Sequence, residues 1–557
     1  MMYRKFPKTA LVILVLLFFN VHLFAQIGSD PIIVVAPYDP TISDAFKINE
    51  NPKIVDTVKY SHKLTYSLSP KLIKTSFELE PIKVAKMGPE SISKLYSGFI
   101  KLGFGTLTMP YGEVYYNNSR SSKCSYGLHY KHVSSLGQID KYANSKFSDN
   151  EVNLYGRKFI KKNTLSGGID YKRNVVHFYG YQPENYVFSM LDDDIKQRFS
   201  LVSADVKYSN SLVDTVSMNS SYNLKYYNLG DLYDASENNF LLKASFFRYF
   251  KFMKSIPKQV VGLDLDFDYF KNVNSYTSFN SSVFRLFPFV GVNMNDYRFT
   301  VGLNNIIQSD SVSKIRFVPV IDISVNLVNN ILIAYAGYDG NVQHNSLRKL
   351  SDENPFINSM LPLRDSYNKS KIYGGFKGSM SSTLSFNLSA SSAKVEDMPL
   401  FINDYSNVLL NKFTVVYDTL DIINAKAEVA YNTEKLGFVL TGNYFQYTPV
   451  HELKAWHKPN YEVKLTANYK IQNKIIVKAD LLAYGTAYAK LIDVKGIAVA
   501  EKINGYIDGN LSIDYRYTKK LSVFLELNNI ASSKYDKWYN YPARRFSLMA
   551  GVTYSFL

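Results

Sequence analysis

Residues 543–557 read ARRFSLMAGVTYSFL, and their pattern decides the fold. Phe546, Leu548, Ala550, Val552, Tyr554 and Phe556 occupy even positions, and Ser547, Met549, Gly551, Thr553 and Ser555 alternate with them. Successive side chains of a strand point to opposite faces, so a two-residue period predicts a strand with one apolar, aromatic face and one small or polar face. Such a strand suits the boundary between lipid and a wet lumen better than a soluble sandwich.

The same alternation recurs from residue 96 to the end of the chain. In 461–470, Tyr461, Val463, Leu465, Ala467 and Tyr469 oppose Glu462, Lys464, Thr466, Asn468 and Lys470, and 503–517 and 521–528 repeat the pattern. In 261–269 the odd positions are apolar while Asp264, Asp266 and Asp268 share the other face. A carboxylate in lipid is costly, so these three are expected to face the lumen and to set the register. Lumenal Lys and Arg are expected to match them, and no metal is assigned to the row.

Short turns follow 151–160, 461–470 and 503–517, whereas long polar connections fall near 136–150, 182–194, 227–239, 341–368, 393–411, 448–459, 488–502 and 531–542. Threaded up and down from Gly98, the chain predicts an all-β fold, a transmembrane antiparallel barrel of about 22 strands. The short turns belong to the periplasmic side and the long loops to the extracellular side. Closure also removes the exposed edges that so much sheet would otherwise present.

The N-terminal end supplies an address. Arg4, Lys5 and Lys8 precede an apolar run over 10–19, with a cleavage site after Ala25, so residues 1–25 read as a secretory signal. No cysteine follows that site to carry a lipid anchor. Residues 26–95 carry Pro31, Pro37, Pro40, Pro52, Pro70, Pro81 and Pro89 with little alternation. Proline fixes φ and lacks a ladder donor, so this stretch is expected to be an extended periplasmic or lumenal leader, with the barrel over 96–557.

Composition agrees: 15% of residues are aromatic, with 45 Tyr and 36 Phe, as aromatic girdles at two membrane interfaces require. The formal charge is +16, and +13 without the three basic residues of the signal, which favours anionic partners. Outer-membrane lipid and lipopolysaccharide fit that requirement. Nucleic acid does not, because neither a binding motif nor a dense basic block is present. The single cysteine, Cys124, excludes an internal disulfide and a multi-cysteine metal site.

At the C-terminal end, Gly551, Tyr554 and Phe556 resemble the signal that outer-membrane barrels present to the barrel-assembly machinery. Residues 521–557, with Leu-Asn-Asn closing a strand and Tyr535, Trp538, Tyr541 and Pro542 in the loop before the last one, resemble the end of a TonB-dependent receptor barrel of Bacteroidetes type. The resemblance implies the cell outer membrane and transport across it. The chain departs from that family over 26–95, which is too short for its globular plug. The stretch PIIVVAP at 31–37 looks a little like the apolar box that binds TonB, although a locally paired strand would read the same. A wide barrel without a plug needs another filling: the leader, inward-folded loops such as 341–368, lumenal side chains or a partner protein.

Chemistry is poorly signalled. His129 and His132 differ in parity and face opposite sides of one strand, while His62 and His177 stand alone. His451, Glu452 and His457 share a loop with Trp456 at a spacing that permits a metal without specifying one, and Asp192, Asp193 and Asp194 read as a solvated turn. Nucleophile-elbow, phosphate-loop and dinucleotide motifs are absent, so no catalytic residue, cofactor or metal is assigned and an enzyme is not expected. Transport is the leading expectation. The alternative is a sealed barrel serving as a structural or docking subunit of an envelope assembly or export complex, with residues 26–95 engaging a periplasmic partner.

Overall fold

The computed structural model describes residues 96–118, 121–187, 190–252, 258–294, 296–310, 312–329 and 331–556. Twenty-two strands, from Gly98–Gly105 to Ser547–Phe556, form one antiparallel sheet in which each pairs with the next. The last strand then pairs with the first, from Gly98 opposite Phe556 to Gly105 opposite Met549, so the sheet closes on itself. The fold is therefore the closed all-β barrel read from the alternation. No helix among the described residues is long and apolar enough to cross a membrane.

Cross-strand pairing turns the alternation of single strands into continuous surfaces. Val206, Leu224, Leu242, Phe267, Phe284, Ile307 and Ile315 stand opposite one another in turn across seven consecutive strands. All but Phe267 are exposed, which makes this the outward, lipid-compatible face. The row climbs from near the end of strand Lys196–Asn210 to the start of Lys314–Val328, as tilted barrel strands require. Tyr116, Tyr126, Tyr222, Phe246, Tyr431, Phe438, Tyr469, Tyr515 and Tyr554 share the outward parity and lie within four residues of the short-turn ends of their strands. They form an aromatic girdle, in which Tyr222 and Phe246 meet edge to face at 5.5 Å.

The inward face carries charge in compensating pairs. Glu113, Lys131, Glu151 and Lys172 stand opposite one another across four strands, alternating in sign. Asp266 lies between Lys243 and Arg285, and Arg285 Nε donates to it at 2.8 Å. At the seam, Gly103 and Gly551 face each other, and a Cβ on Gly551 would lie 2.5 Å from the ring of Phe524. The ring of Phe524 is buried against both glycines. Tyr554 is exposed on the outward face, and Phe556 packs where a Cβ on Gly98 would otherwise sit.

Three boundaries differ from the sequence reading, the first being the connection expected over 393–411, which shrinks to 404–412 because Leu384–Asn403 keeps pairing with Phe413–Asn432. Alternation continues back to Ile503, yet the barrel strand is Tyr506–Arg516, and Ile503 ends a hairpin of Ala487–Ile492 with Ala498–Ile503. At Gly505 a Cβ would lie 2.6 Å from the Tyr484 carbonyl, so the chain leaves one sheet for the other where only glycine fits. The connection expected over 227–239 shrinks to 231–235, because Asn219–Gly230 and Ser236–Phe250 keep pairing. Above the membrane both faces of a strand can be polar, so alternation fades before the strand ends.

Leu242→Arg should lower the folded fraction in liposomes, read as heat-modifiable mobility, by the equivalent of about 2–4 kcal/mol for a cation on the lipid face. Leu241→Arg, on the opposite parity, should fold as wild type.

Candidate functional site

The long connections 136–146, 178–195, 344–365, 404–412, 450–460, 485–505 and 529–546 all leave the barrel at the end opposite Gly98 and Phe556. Three of them follow the fifth, thirteenth and twenty-first strands and are thus spaced around nearly thirds of the circumference. A barrel of this strand number is too wide for wall side chains to fill. Loops from such distant positions touch only by folding inward.

They do touch. Tyr179, Phe356 and Tyr541, one from each loop, form a closed set of ring contacts: Phe356 stacks on Tyr541 at 4.0 Å, and Tyr179 meets Tyr541 at 4.8 Å and Phe356 at 5.5 Å, both edge to face. Tyr541 is 1% exposed, and its hydroxyl donates to the carbonyl of Asn411. Burial holds that hydroxyl well above its ordinary pKa, so it remains a donor. Asn411 in turn donates to the Phe178 carbonyl at 2.6 Å, and Tyr179 donates to the Pro542 carbonyl at 3.1 Å. Around these rings lie Leu347, Leu350, Ile357, Phe401, Phe413 and Trp538, an apolar core across the extracellular mouth.

The 344–365 loop owes its position to a buried carboxylate. Ser346 caps the helix Leu347–Glu353 by accepting from Lys349 N at 3.1 Å. Glu237, on the barrel wall and fully buried, accepts from Leu347 N at 2.6 Å, Arg348 N at 3.2 Å and the Tyr227 hydroxyl at 2.8 Å. Its charge meets the first amides of the helix, where a carboxylate is most favourable. Leu350, one turn on, is completely buried.

The histidines and acids singled out in the sequence go to separate partners. His451 Nδ1 lies 2.8 Å from Asp418, which also accepts from Glu452 N at 2.8 Å. Glu452 accepts from Trp456 Nε1 at 2.8 Å and pairs with Lys490 at 2.7 Å. His457 Nδ1 donates to the Phe401 carbonyl at 2.9 Å, and its Nε2 accepts from Tyr539 N at 3.3 Å. These three residues therefore form no common site, and no metal-ligating cluster occurs among the described residues. His129 pairs with Glu113 at 3.1 Å, His132 bonds Asn150 at 2.8 Å, and His177 bonds the Lys146 carbonyl at 2.7 Å. Asp192 and Asp193 make exposed pairs with Lys146 and Lys196. Asp264 and Asp268 share the inward parity of Asp266, and Asp268 accepts from Asn239. His62 and the leader over 26–95 lie outside the described residues.

The cap leaves cavities open to the outside. One of about 800 Å³ lies between 136–146, 485–505 and 529–546, with Lys141, Lys502, Lys534 and Arg545 on its walls. A second, of about 650 Å³, separates the 344–365 loop from the barrel wall. Sequence reasoning pointed to 341–368 as an inward-folding loop and named Tyr541 in the loop before the last strand, but missed Glu237 and the meeting of the three rings. Contacts between loops leave no period in the sequence.

Tyr541→Ala should cost the cap about 3–5 kcal/mol, as a buried ring does, and should make 344–365 and 529–546 cleavable by added protease in the folded barrel. A pH effect is also expected. Burial pushes the His457 imidazole from 6.5 down to about 4, so below about 6.5 the unfolded loop takes a proton that the native one refuses. Stability from this group is complete above pH 6.5 and falls by roughly 3 kcal/mol as pH drops to 4. Hydrogen exchange of 450–460 should accelerate over that window, and His457→Asn, which keeps the donor to Phe401, should remove its share of the change.

No protein-family model matches the sequence, and no curated protein sequence matches it. The fold has clear structural counterparts. It is similar to the pyoverdine outer membrane receptor FpvA of Pseudomonas aeruginosa PAO1, with a TM-score of 0.62 and 12% identity over 84% of this chain and 79% of that one. It is similar to the ferric-catecholate import receptor Fiu of E. coli K12, with a TM-score of 0.61 and 11% identity over 83% and 82% of the two chains. It is also similar to the FrpB iron transporter of Neisseria meningitidis, with a TM-score of 0.62 and 10% identity over 84% and 82%. By their names all three are receptors or transporters, and at this identity the shared property is the fold.

Proposed function

We propose that this chain is a TonB-dependent-receptor-like barrel of the cell outer membrane that passes a solute, with the inward-folded loops as its extracellular barrier. The observation that carries this reading is the pairing of a polar, charge-compensated inner face with a mouth crossed by the Tyr179, Phe356 and Tyr541 rings. A wall with both signs of charge suits passage of a polar solute, and the cap suits control of entry. Under this reading Asp264, Asp266 and Asp268 line the path. Gly551, Tyr554 and Phe556 serve recognition by the assembly machinery, and lipopolysaccharide contacts the outer rim. Residues 1–25 act as the signal, 26–95 as a leader that reaches a periplasmic partner, and 96–557 as the barrel.

The apolar packing of the cap also favours a second reading, a sealed barrel used as a docking subunit of an envelope complex. Planar-bilayer conductance separates the two. A transport barrel should be silent as wild type and should conduct when Tyr541→Ala is combined with deletion of 26–95. A silent double variant that is correctly folded would overturn transport, and a stoichiometric partner lost from detergent extracts on deleting 26–95 would then support docking.

A further inference from the structure

The cavity of about 650 Å³ beside the 344–365 loop holds three side chains that the transport reading does not use. Ser281 Oγ, on strand Ser278–Asn293, lies 3.4 Å from His344 Nε2. On the other side of the same ring, His344 Nδ1 is in contact with Asp365 Oδ1, off the line of an ideal hydrogen bond. The ring is stacked on Phe270 at 3.6 Å, and Asp365 Oδ2 accepts from Gln308 Nε2 at 2.9 Å. Hydroxyl, imidazole and carboxylate thus stand in a line whose last two members are held from outside it. All three are largely buried, yet all line the cavity.

We propose that Ser281, His344 and Asp365 form an ester-hydrolysing relay at the extracellular mouth. Such a relay is recognised by geometry and roles, and the chain order of its members is free to vary. In the first half-reaction, Ser281 Oγ bonds to the carbonyl carbon of an ester while its proton passes to His344 Nε2. The bond to the alcohol oxygen then breaks, and the alcohol leaves with that proton. In the second half-reaction, water adds to the acyl-Ser281 ester and His344 takes its proton. The carboxylic acid departs and the hydroxyl of Ser281 is restored.

Asp365 acts as a positioning residue, orienting the imidazole and stabilising its charged form. Phe279, Leu361 and Leu363 offer an apolar wall to a short acyl chain, whereas Lys314, Arg316, Asp310 and Asp397 give the rest of the cavity a polar lining of both signs for the alcohol part. The substrate class is therefore an ester of a small apolar acid with a polar alcohol part, met at the cell surface.

The test uses the full chain folded in detergent. A fluorophosphonate should leave one adduct, mapped by mass spectrometry to the peptide containing Ser281, and heat unfolding should abolish it. Hydrolysis of p-nitrophenyl butyrate should fall at least about 100-fold in Ser281→Ala and in His344→Gln. Asp365→Asn should lower kcat with KM unchanged. Heat-modifiable mobility confirms that each variant is folded, and adduct mapping on the wild type depends on no variant. Folded wild type without an adduct on Ser281, or hydrolysis that survives Ser281→Ala, would overturn the proposal. Ser281→Ala should leave conductance of the Tyr541→Ala barrel lacking 26–95 unchanged, so the two readings stand or fall separately.

Discussion

Closure of the sheet is the constraint from which the rest of the molecule follows. Once Ser547–Phe556 pairs with Gly98–Gly105, every strand of the wall has a hydrogen-bonded neighbour on each side. A sheet can then face lipid without an edge. The same closure sets the width, because 22 strands cannot draw in to a core that their own side chains fill. A hydrophobic core therefore forms where loops meet, over the mouth. Tyr179, Phe356 and Tyr541 are its centre, and the fully buried Leu350, Ile357, Phe401 and Phe413 pack around them.

This inverts the usual relation between scaffold and loop. In a soluble domain the core lies between the elements and the loops are its margin. Here 178–195, 344–365 and 529–546 pack apolar side chains against one another and against the extracellular ends of strands, as Leu347, Leu350 and Tyr541 do with Phe199, Tyr227, Phe270, Phe401 and Phe413. Their polar anchors follow the same logic. Glu237 is desolvated on the wall and recovers its hydrogen bonds from the helix Leu347–Glu353, so wall and loop are each incompletely satisfied without the other. The His457 imidazole, kept neutral by burial between Phe401 and Tyr539, ties a further loop to the cap.

The inward face shows how a polar lumen is reconciled with stability. Glu113, Lys131, Glu151 and Lys172 stand directly opposite one another across strands with alternating sign, and Asp266 lies between Lys243 and Arg285, whereas Asp264 and Asp268, expected to be matched by cations as well, have none directly opposite. Water in such a lumen solvates what the pairs leave over. The relay of Ser281, His344 and Asp365 differs from these pairs because stacking on Phe270 and the contact with Gln308 hold its line while it still borders the cavity. An imidazole in that setting is placed to act and does not merely balance charge.

The sequence by itself determined the barrel: its alternation, its strand number, its up-and-down direction from Gly98 and the side on which the long loops lie. The physical reason is that lipid on one face and water on the other impose a period of two on every strand, and that period is written locally, as in Tyr461 to Tyr469 and in Phe546 to Phe556. It was less informative at Ile503, where a strand passes between two sheets without changing its period, and near 227–239, where polar residues continue a strand above the membrane. Only the tertiary structure decided what closes the mouth. Tyr179, Phe356 and Tyr541 are separated by more than a hundred residues at each step, and so are Glu237 and the helix it anchors. Contacts of that range arise from the curvature of the closed sheet, which brings distant loops over one opening and is encoded in no single stretch of the chain.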